Sequence, residues 1–412
     1  MMHRKIFGEM TSGFRLTLLA ALMIVSCRDK MPWQGNLEYF QQPDQIRAEI
    51  AVKMDRLSAF MEKNDLQAVL LSQVRNIYWI TAGLCRSQRV LNEETGMVSL
   101  LILKDGRRYL VSSESVAPRL MDENLRFIGY ELISYPWTRE NRRLDIIKEV
   151  AHIEKIGCDV SCRGTVFVGH DFESLRYSLT EQEIERYRWL GRETIEAVTE
   201  VCKEVQPGMG EYEIQYLMAR ALRSRGILPV VLLTPVDERI FAYGEALPGG
   251  ATLKKYAMID VLGEKWGLCA AVTRFVHLGP VPKHIDTMYR AAVHIMTQFQ
   301  AATIPGRTVS DILEESKSWY SNAGFEESWK EFHQGGAIGY RHREYVAYPY
   351  SSNTIQPNQA FAWNPMIRGV KAQDTFIVHG DSTETLTVSQ DWPKIQIEIN
   401  GSVYSQPGIL VR

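Results

Sequence analysis

Five side chains able to do chemistry crowd one short segment: His333, Arg341, His342, Arg343 and Glu344, within HQGGAIGYRHREY. Arg341 and Arg343 can grip an anion there, because each guanidinium presents a rigid fork of charged N–H donors. His333 or Glu344 could then move a proton to or from the bound species. The same groups could instead satisfy one another, with Arg343 paired to Glu344 or to Asp374 in an internal salt bridge. Asp260 adds a carboxylate near the end of an apolar, strand-like run, a third candidate for proton transfer. His277 follows Thr-Arg-Phe-Val with no partner visible from spacing. Trp266, Tyr340 and Trp363 would line either a core or a pocket, and core is the default for large aromatics.

Other chemistries leave no trace. The chain lacks a Gly-x-Ser-x-Gly nucleophile elbow, a His-Glu-x-x-His zinc helix and a phosphate-loop motif. Lys and Arg number 47 against 49 Asp and Glu, a formal charge of −2, so the clustered basic footprint of a nucleic-acid binder is missing. Cys158 and Cys162 are spaced like a metal or redox pair but have no second ligand pair nearby, and read as incidental thiols.

The elements that must position these groups are legible from periodicity. Ile46, Ile50, Met54, Leu57 and Met61 recur on one helix face, and residues 68–71 form an apolar strand. Residues 97–103 and 109–112 flank Asp105-Gly106 as a hairpin, followed by a helix over 143–153 and a short strand at Ile156. Thr180-Glu-Gln-Glu183 is a capping box opening a long helix that Pro207-Gly208 stops; a second helix ends at Gly226. Pro207-Gly208, Glu213-Ile214 and Gly226 recur as Pro305-Gly306, Asp311-Ile312 and Gly324, each offset by 98 residues. Such a repeat predicts a duplicated half-domain with pseudo-twofold symmetry and a pocket between the halves. Strand-rich stretches at 256–278 and 360–378 would form that pocket.

The N-terminus reads as an address. Arg4, Lys5 and Arg15 precede an apolar run of ten residues at 16–25, the order of a secretion signal and too short to span a bilayer. Ile24-Val25-Ser26-Cys27 resembles a bacterial lipobox, which implies cleavage before Cys27 and lipidation of its thiol. Without residues 1–26 the formal charge becomes −4. The expected organisation is a signal at 1–26, a polar tether at 27–42, an N-terminal domain at 43–174 and a C-terminal domain at 175–412.

Taken in order, the motifs resemble the aminopeptidase P, prolidase and creatinase family. Residues 68–83 (AVLLSQVRNIYWITAG) are similar to its strand followed by an Asn…Tyr…Thr…Gly segment. Pro207-Gly208 with Glu211 and Glu213-Ile214 resembles its helix start, Val272-Thr-Arg-Phe275 with Gly279 its central strand, and residues 335–344 (GGAIGYRHRE) its Gly-His-Gly-Ile-Gly…His-Glu stretch. Asn364-Pro365 and Gln373-Asp374-Thr375 echo its Glu-Pro and Glu-Asp-Thr strands. The resemblance implies an α/β creatinase-like N-terminal domain plus an α+β pita-bread C-terminal domain with the internal repeat.

That family's peptidases hold two metal ions with two Asp, one His and two Glu, which together activate water and polarise the scissile carbonyl. Position by position, those ligands fall on Asp260, Ala271, Gly336, Asn364 and Gln373. Asp260 alone keeps its carboxylate, and even there the local pattern is Asp-x-x-Gly rather than Asp-x-Gly. The substrate-contacting His beside Glu344 becomes Arg343; the earlier one has no counterpart, Tyr243 being nearest. Lys371, two residues before Gln373, can face the same side of a strand and neutralise Asp260 where a metal would.

The reading is therefore a lipid-anchored homologue of Xaa-Pro peptidases without the dinuclear centre and without a cofactor. Its pocket, with Arg341, His342, Arg343, Asn364, Lys371 and Gln373 as candidates, would bind a small peptide or anion. Two alternatives stand beside it: a metal-independent C–N hydrolase using His333, Glu344 or Asp260, and an active X-Pro metalloaminopeptidase. Expected localisation is the bacterial cell envelope, on the periplasmic face or cell surface, held through lipidated Cys27. The resemblance also implies a possible homodimer.

Overall fold

A computed structural model describes residues 43–412. The expected signal, Cys27 and the expected tether lie outside the described residues. Helix α1 (Pro43–Lys63) opens on a proline, whose missing N–H is no loss in a first turn, and it buries Leu57 and Met61. Strand β1 (Ala68–Gln73) leads directly into helix α2 (Val74–Ile80). Strands β2 (Thr95–Leu103) and β3 (Arg108–Ser113) make the expected hairpin, with Gly106 at φ 91° in the turn. Adding β4 (Glu131–Tyr135), β5 (Ile156–Cys158) and β6 (Val166–Phe167) gives a mixed six-stranded sheet of order β4-β3-β2-β1-β5-β6. Helix α3 (Arg143–Ala151) covers part of it through Ile147 and Ala151.

The second half begins with helix α4 (Glu181–Glu204), whose capping box forms as its sequence dictates. Glu183 N–H donates to Thr180 Oγ1 at 3.3 Å, and Thr180 N–H donates to Glu183 Oε2 at 2.7 Å. Helix α5 (Glu211–Ser224) follows, then the antiparallel strands β7 (Leu228–Leu233), β8 (Tyr256–Lys265) and β9 (Leu268–His277). All ten β9 residues are buried, because α4 packs on one face of this sheet and the second half-domain closes the other. That is why β9 opens on an unbroken apolar run, Leu268 to Val272, rather than an alternation, and why its Thr273, Arg274 and His277 are buried as well.

The repeat then recurs. Helices α6 (Lys283–Ala302) and α7 (Val309–Asn322) carry strands β10 (Gly335–Ala337), β11 (Tyr345–Val346) and β12 (Gln359–Trp363). A small hairpin of β13 (Met366–Ile367) and β14 (Val370–Lys371) precedes β15 (Phe376–His379) and β16 (Ser382–Thr385). The second sheet has the order β11-β10-β12-β15-β16. A hairpin of β17 (Lys394–Ile399) and β18 (Ser402–Pro407) follows, and β19 (Leu410–Val411) returns to pair parallel with β9. The offset of 98 carries the end of α4 onto the end of α6 and both ends of α5 onto those of α7. The paired glycines share a left-handed backbone, Gly208 and Gly306 at φ 93° and 89°, Gly226 and Gly324 at 68° and 81°. A side chain with a Cβ would strain these stops, so glycine at both ends of each second helix is a geometric requirement.

Arg47–Arg412 form one unit, joined through a dry cluster of charges. Lys53 Nζ lies 2.6 Å from Glu49, 2.7 Å from Glu183 and 2.7 Å from the Trp79 carbonyl, fully buried. Arg186 grips both Glu49 oxygens at 2.7 Å, and Tyr340 O–H donates to Glu183 at 2.6 Å. The two arginine bonds and Lys53 hold the Glu49 carboxyl down to about 2 against the burial that would raise it. Replacing Lys53 with Met leaves a carboxylate of this cluster uncompensated, which is expected to cost about 3–5 kcal/mol. Urea unfolding checks it: Lys53→Met should lower the midpoint sharply, whereas Lys155→Met at the exposed Lys155–Asp65 pair should leave it in place.

Candidate functional site

The two sheets of the C-terminal half meet where Ala271 N–H donates to Thr375 Oγ1 at 2.8 Å and Thr273 N–H donates to the Gln373 carbonyl at 3.1 Å. Beside this seam lies a cavity of about 330 Å³. All nine sequence candidates line it: Asp260 from β8, His333 ahead of β10, Arg341 to Glu344 from the loop into β11, Asn364 after β12, Lys371 from β14 and Gln373 beyond it. Lys371 and Gln373 do not share one strand, since β14 ends at Lys371, yet both reach the cavity. Sequence reasoning missed Glu245 and Val231, which also line it. Glu245 sits in the turn-rich Gly-Glu-Ala-Leu-Pro-Gly-Gly stretch, and no spacing marks it.

At the floor, Lys371 Nζ contacts Asp260 Oδ2 at 2.6 Å, both side chains being buried. Thr273 O–H donates to Asp260 Oδ1 at 3.1 Å. The surrounding donors orient the Gln373 amide so that its nitrogen faces Asp260 Oδ1 at 3.1 Å and its oxygen accepts from Arg343 Nη2 at 3.2 Å. Arg343 Nη2 also donates to Asn364 Oδ1 at 3.3 Å, and Nη1 to the His342 carbonyl at 3.1 Å. Asp260, Gln373, Asn364, Lys371 and Arg343 thus form one connected network.

The expected internal pairing of Arg343 is corrected in detail. Glu344 pairs with Arg176 instead, through Oε1 at 3.3 Å and through Oε2, and Oε1 also accepts from Tyr340 N–H at 2.9 Å. Asp374 pairs with Arg274, at 2.7 and 3.2 Å, and accepts from Thr387 O–H at 2.6 Å. Both carboxylates are engaged in structure, so Arg343 has only neutral acceptors. Burial accordingly lowers the Arg343 guanidinium to about 10, opposed by the more distant charges of Asp260 and Glu245. The sequence reading assigned Arg343 to either carboxylate, but the fold supplies Arg176 and Arg274, from 168 and 100 positions away.

The other candidates fall elsewhere. His277 is buried and bonds through Nδ1 to the Gly279 carbonyl at 2.8 Å. Tyr243 is exposed beneath Arg239. Trp363 stacks on Phe299 in the core at 4.6 Å between centroids, and Trp266 packs against Trp189. The described cysteines are free thiols.

Two of the five family ligand positions carry no side-chain donor, and one of them has no room for any. A Cβ on Gly336, at φ 153°, would sit 2.3 Å from the Tyr345 carbonyl oxygen. Among the described residues no three His, Cys, Asp or Glu side chains come together to hold a metal ion. A Gly336→His variant is expected to lose at least about 1–3 kcal/mol through overpacking against β11. Thermal melting checks this, together with manganese titration, which should remain featureless.

His333 lines the cavity, its Nδ1 accepting from Gly335 N–H at 3.2 Å. Loss of water around the ring, then the charges of Arg343, Lys371 and His342, push it down to about 4. The ring is therefore neutral at pH 7. Because the folded value lies below the unfolded one, its contribution to stability is complete above pH 6.5 and is lost as pH falls toward 4. His333→Gln is expected to flatten that acid loss, and the ring's NMR shifts in the native protein should titrate near 4 rather than 6.5.

Residues 185–398 match the metallopeptidase family M24. Among solved structures, the Xaa-Pro dipeptidase from Bacillus anthracis superposes with TM-score 0.70 at 15% identity, over 88% of this chain and 100% of that one. The X-Pro aminopeptidase from Thermotoga maritima gives 0.67 at 16% identity, over 87% and 99%. The dipeptidase PepE from Mycobacterium ulcerans gives 0.70 at 14%, over 89% and 98%. No curated protein matches the sequence. At such identities these structures carry the fold, a creatinase-like domain followed by a pita-bread domain. The sequence match itself covers more than half of the chain, and the protein belongs to metallopeptidase family M24.

Proposed function

We propose that this chain is a non-metallopeptidase member of its family, whose pocket binds a small anionic ligand or the charged end of a short peptide. The observation that carries the reading is the 2.6 Å contact between Lys371 Nζ and Asp260, the one carboxylate left at the family's ligand positions. A dinuclear centre needs several carboxylates and an imidazole to offset two divalent charges. Here an ammonium already neutralises Asp260. The amide oxygens of Asn364 and Gln373 accept from Arg343, and Ala271 and Gly336 offer no donor. The residues present do not fit the metal pair. Two monovalent cations, Lys371 and Arg343, face one carboxylate, and Arg343 remains without a counter-ion, a ready seat for an anion.

The secretion-type start and the lipobox-like Ile24-Val25-Ser26-Cys27 support a lipid anchor that would hold this pocket at the cell envelope. A second reading, C–N bond hydrolysis without metal, has the neutral imidazole of His333 at the pocket wall in its favour.

The test is metal analysis of the purified protein after manganese loading, with an X-Pro dipeptide assay and calorimetric titration of small carboxylates. Substoichiometric metal, no turnover and carboxylate binding lost in Arg343→Gln are expected. Two metal ions per chain with peptide turnover would overturn the reading. Turnover of an amide without metal, abolished by His333→Ala, would favour the hydrolase.

A further inference from the structure

Resting on the reading of a metal-free anion pocket, we infer that its ligand is a compact zwitterion, with a carboxylate on Arg343 and a cationic nitrogen on Glu245. The argument is a census of charge around the cavity. Asp260 is cancelled by Lys371, and Glu344 by Arg176. Arg341, at the rim, lies 3.8 Å from Glu173. Both imidazoles, His333 and His342, keep contact with solvent, and partial desolvation first and neighbouring cations next hold each toward the neutral form. Two opposite charges remain among the described residues lining the cavity. Arg343 has neutral acceptors only, and Glu245 is exposed at the mouth with no ion pair.

Arg343 and Glu245 do not come within ion-pair distance of each other, so the cavity is a dipole with its positive end inside and its negative end at the mouth. Three of the five guanidinium N–H groups are spoken for, and Nη1 keeps one for an incoming oxygen. A dianion such as phosphate would place two charges against one arginine and meet repulsion from Glu245. A plain amine would meet Arg343 and Lys371. A simple carboxylate answers one end and leaves the other. A molecule with both charges, joined by a spacer that lies along Val231, Val261, Leu262 and Val346, answers both without net charge. The 330 Å³ volume suits a ligand of amino-acid size.

The experiment is calorimetry of the full chain with a ladder of ω-amino acids, glycine, β-alanine, 4-aminobutyrate and 5-aminovalerate, each beside its matched monocarboxylate. One rung is expected to bind about tenfold tighter than its carboxylate. Glu245→Gln, at an exposed position that folding does not depend on, should erase that preference and leave carboxylate affinity within about twofold. Arg343→Lys, checked by thermal melting, should weaken the whole ladder. Equal affinity for amino acids and carboxylates, unmoved by Glu245→Gln, would overturn the zwitterion while leaving the anion pocket standing. No binding by any carboxylate or amino acid, or stoichiometric metal in the pocket, would overturn the reading beneath it as well.

Discussion

A single buried ion pair organises the centre of this molecule. Asp260 lies on a strand that is buried on both faces, where an unpaired carboxylate would carry a desolvation penalty of several kcal/mol. Lys371 answers that charge from the other half of the repeat, so the pair also ties the two half-domains together across the cavity floor. Thr273 and Gln373 complete the carboxylate's shell, and Gln373 passes the contact on to Arg343. Each member depends on the next for its orientation, which makes the floor a fixed surface rather than a set of independent side chains.

The wall of the cavity is held from the other side by the N-terminal half. The loop carrying Tyr340 to Glu344 is fastened by Arg176 to Glu344 and by Glu183 to Tyr340, and behind these lie Lys53, Glu49 and Arg186. Buried charge of this kind is a poor source of net stability, but it punishes misplacement severely. Its effect here is positional. The cluster fixes where Arg343 leaves the backbone, and so fixes the positive end of the pocket.

Much of the fold was legible in the sequence because local rules and burial agreed. The capping box at Thr180, the Pro-Gly stops and the Asp105-Gly106 hairpin each answer a backbone need that does not depend on distant residues. The 98-residue repeat was readable for the same reason, since left-handed stops require glycine wherever they recur. The pocket was legible by a different route. Family order put Asp260, Asn364 and Gln373 at ligand-equivalent positions, Lys371 was read from its spacing to Gln373, and the structure gathers all four around one cavity. Partner assignment failed where neighbours in sequence were taken for neighbours in space. Arg343 next to Glu344 looks like an ion pair, yet Glu344 turns inward to Arg176.

The sequence by itself determined which donors exist. One carboxylate, two amides and two positions without ligating atoms stand where the family's metal ligands would be, and that identity needs no coordinates. Only the tertiary structure decided how the remaining charges pair. An ion pair is set by a few ångströms of separation, whereas Lys371 and Asp260 are 111 residues apart and Arg176 and Glu344 are 168 apart. The exposed Glu245 carries no local pattern at all and becomes part of the site because the fold brings it to the cavity lined by β8 and the loop into β11. Distances of that kind follow from packing two half-domains and a third sheet together, and no run of neighbouring residues encodes them.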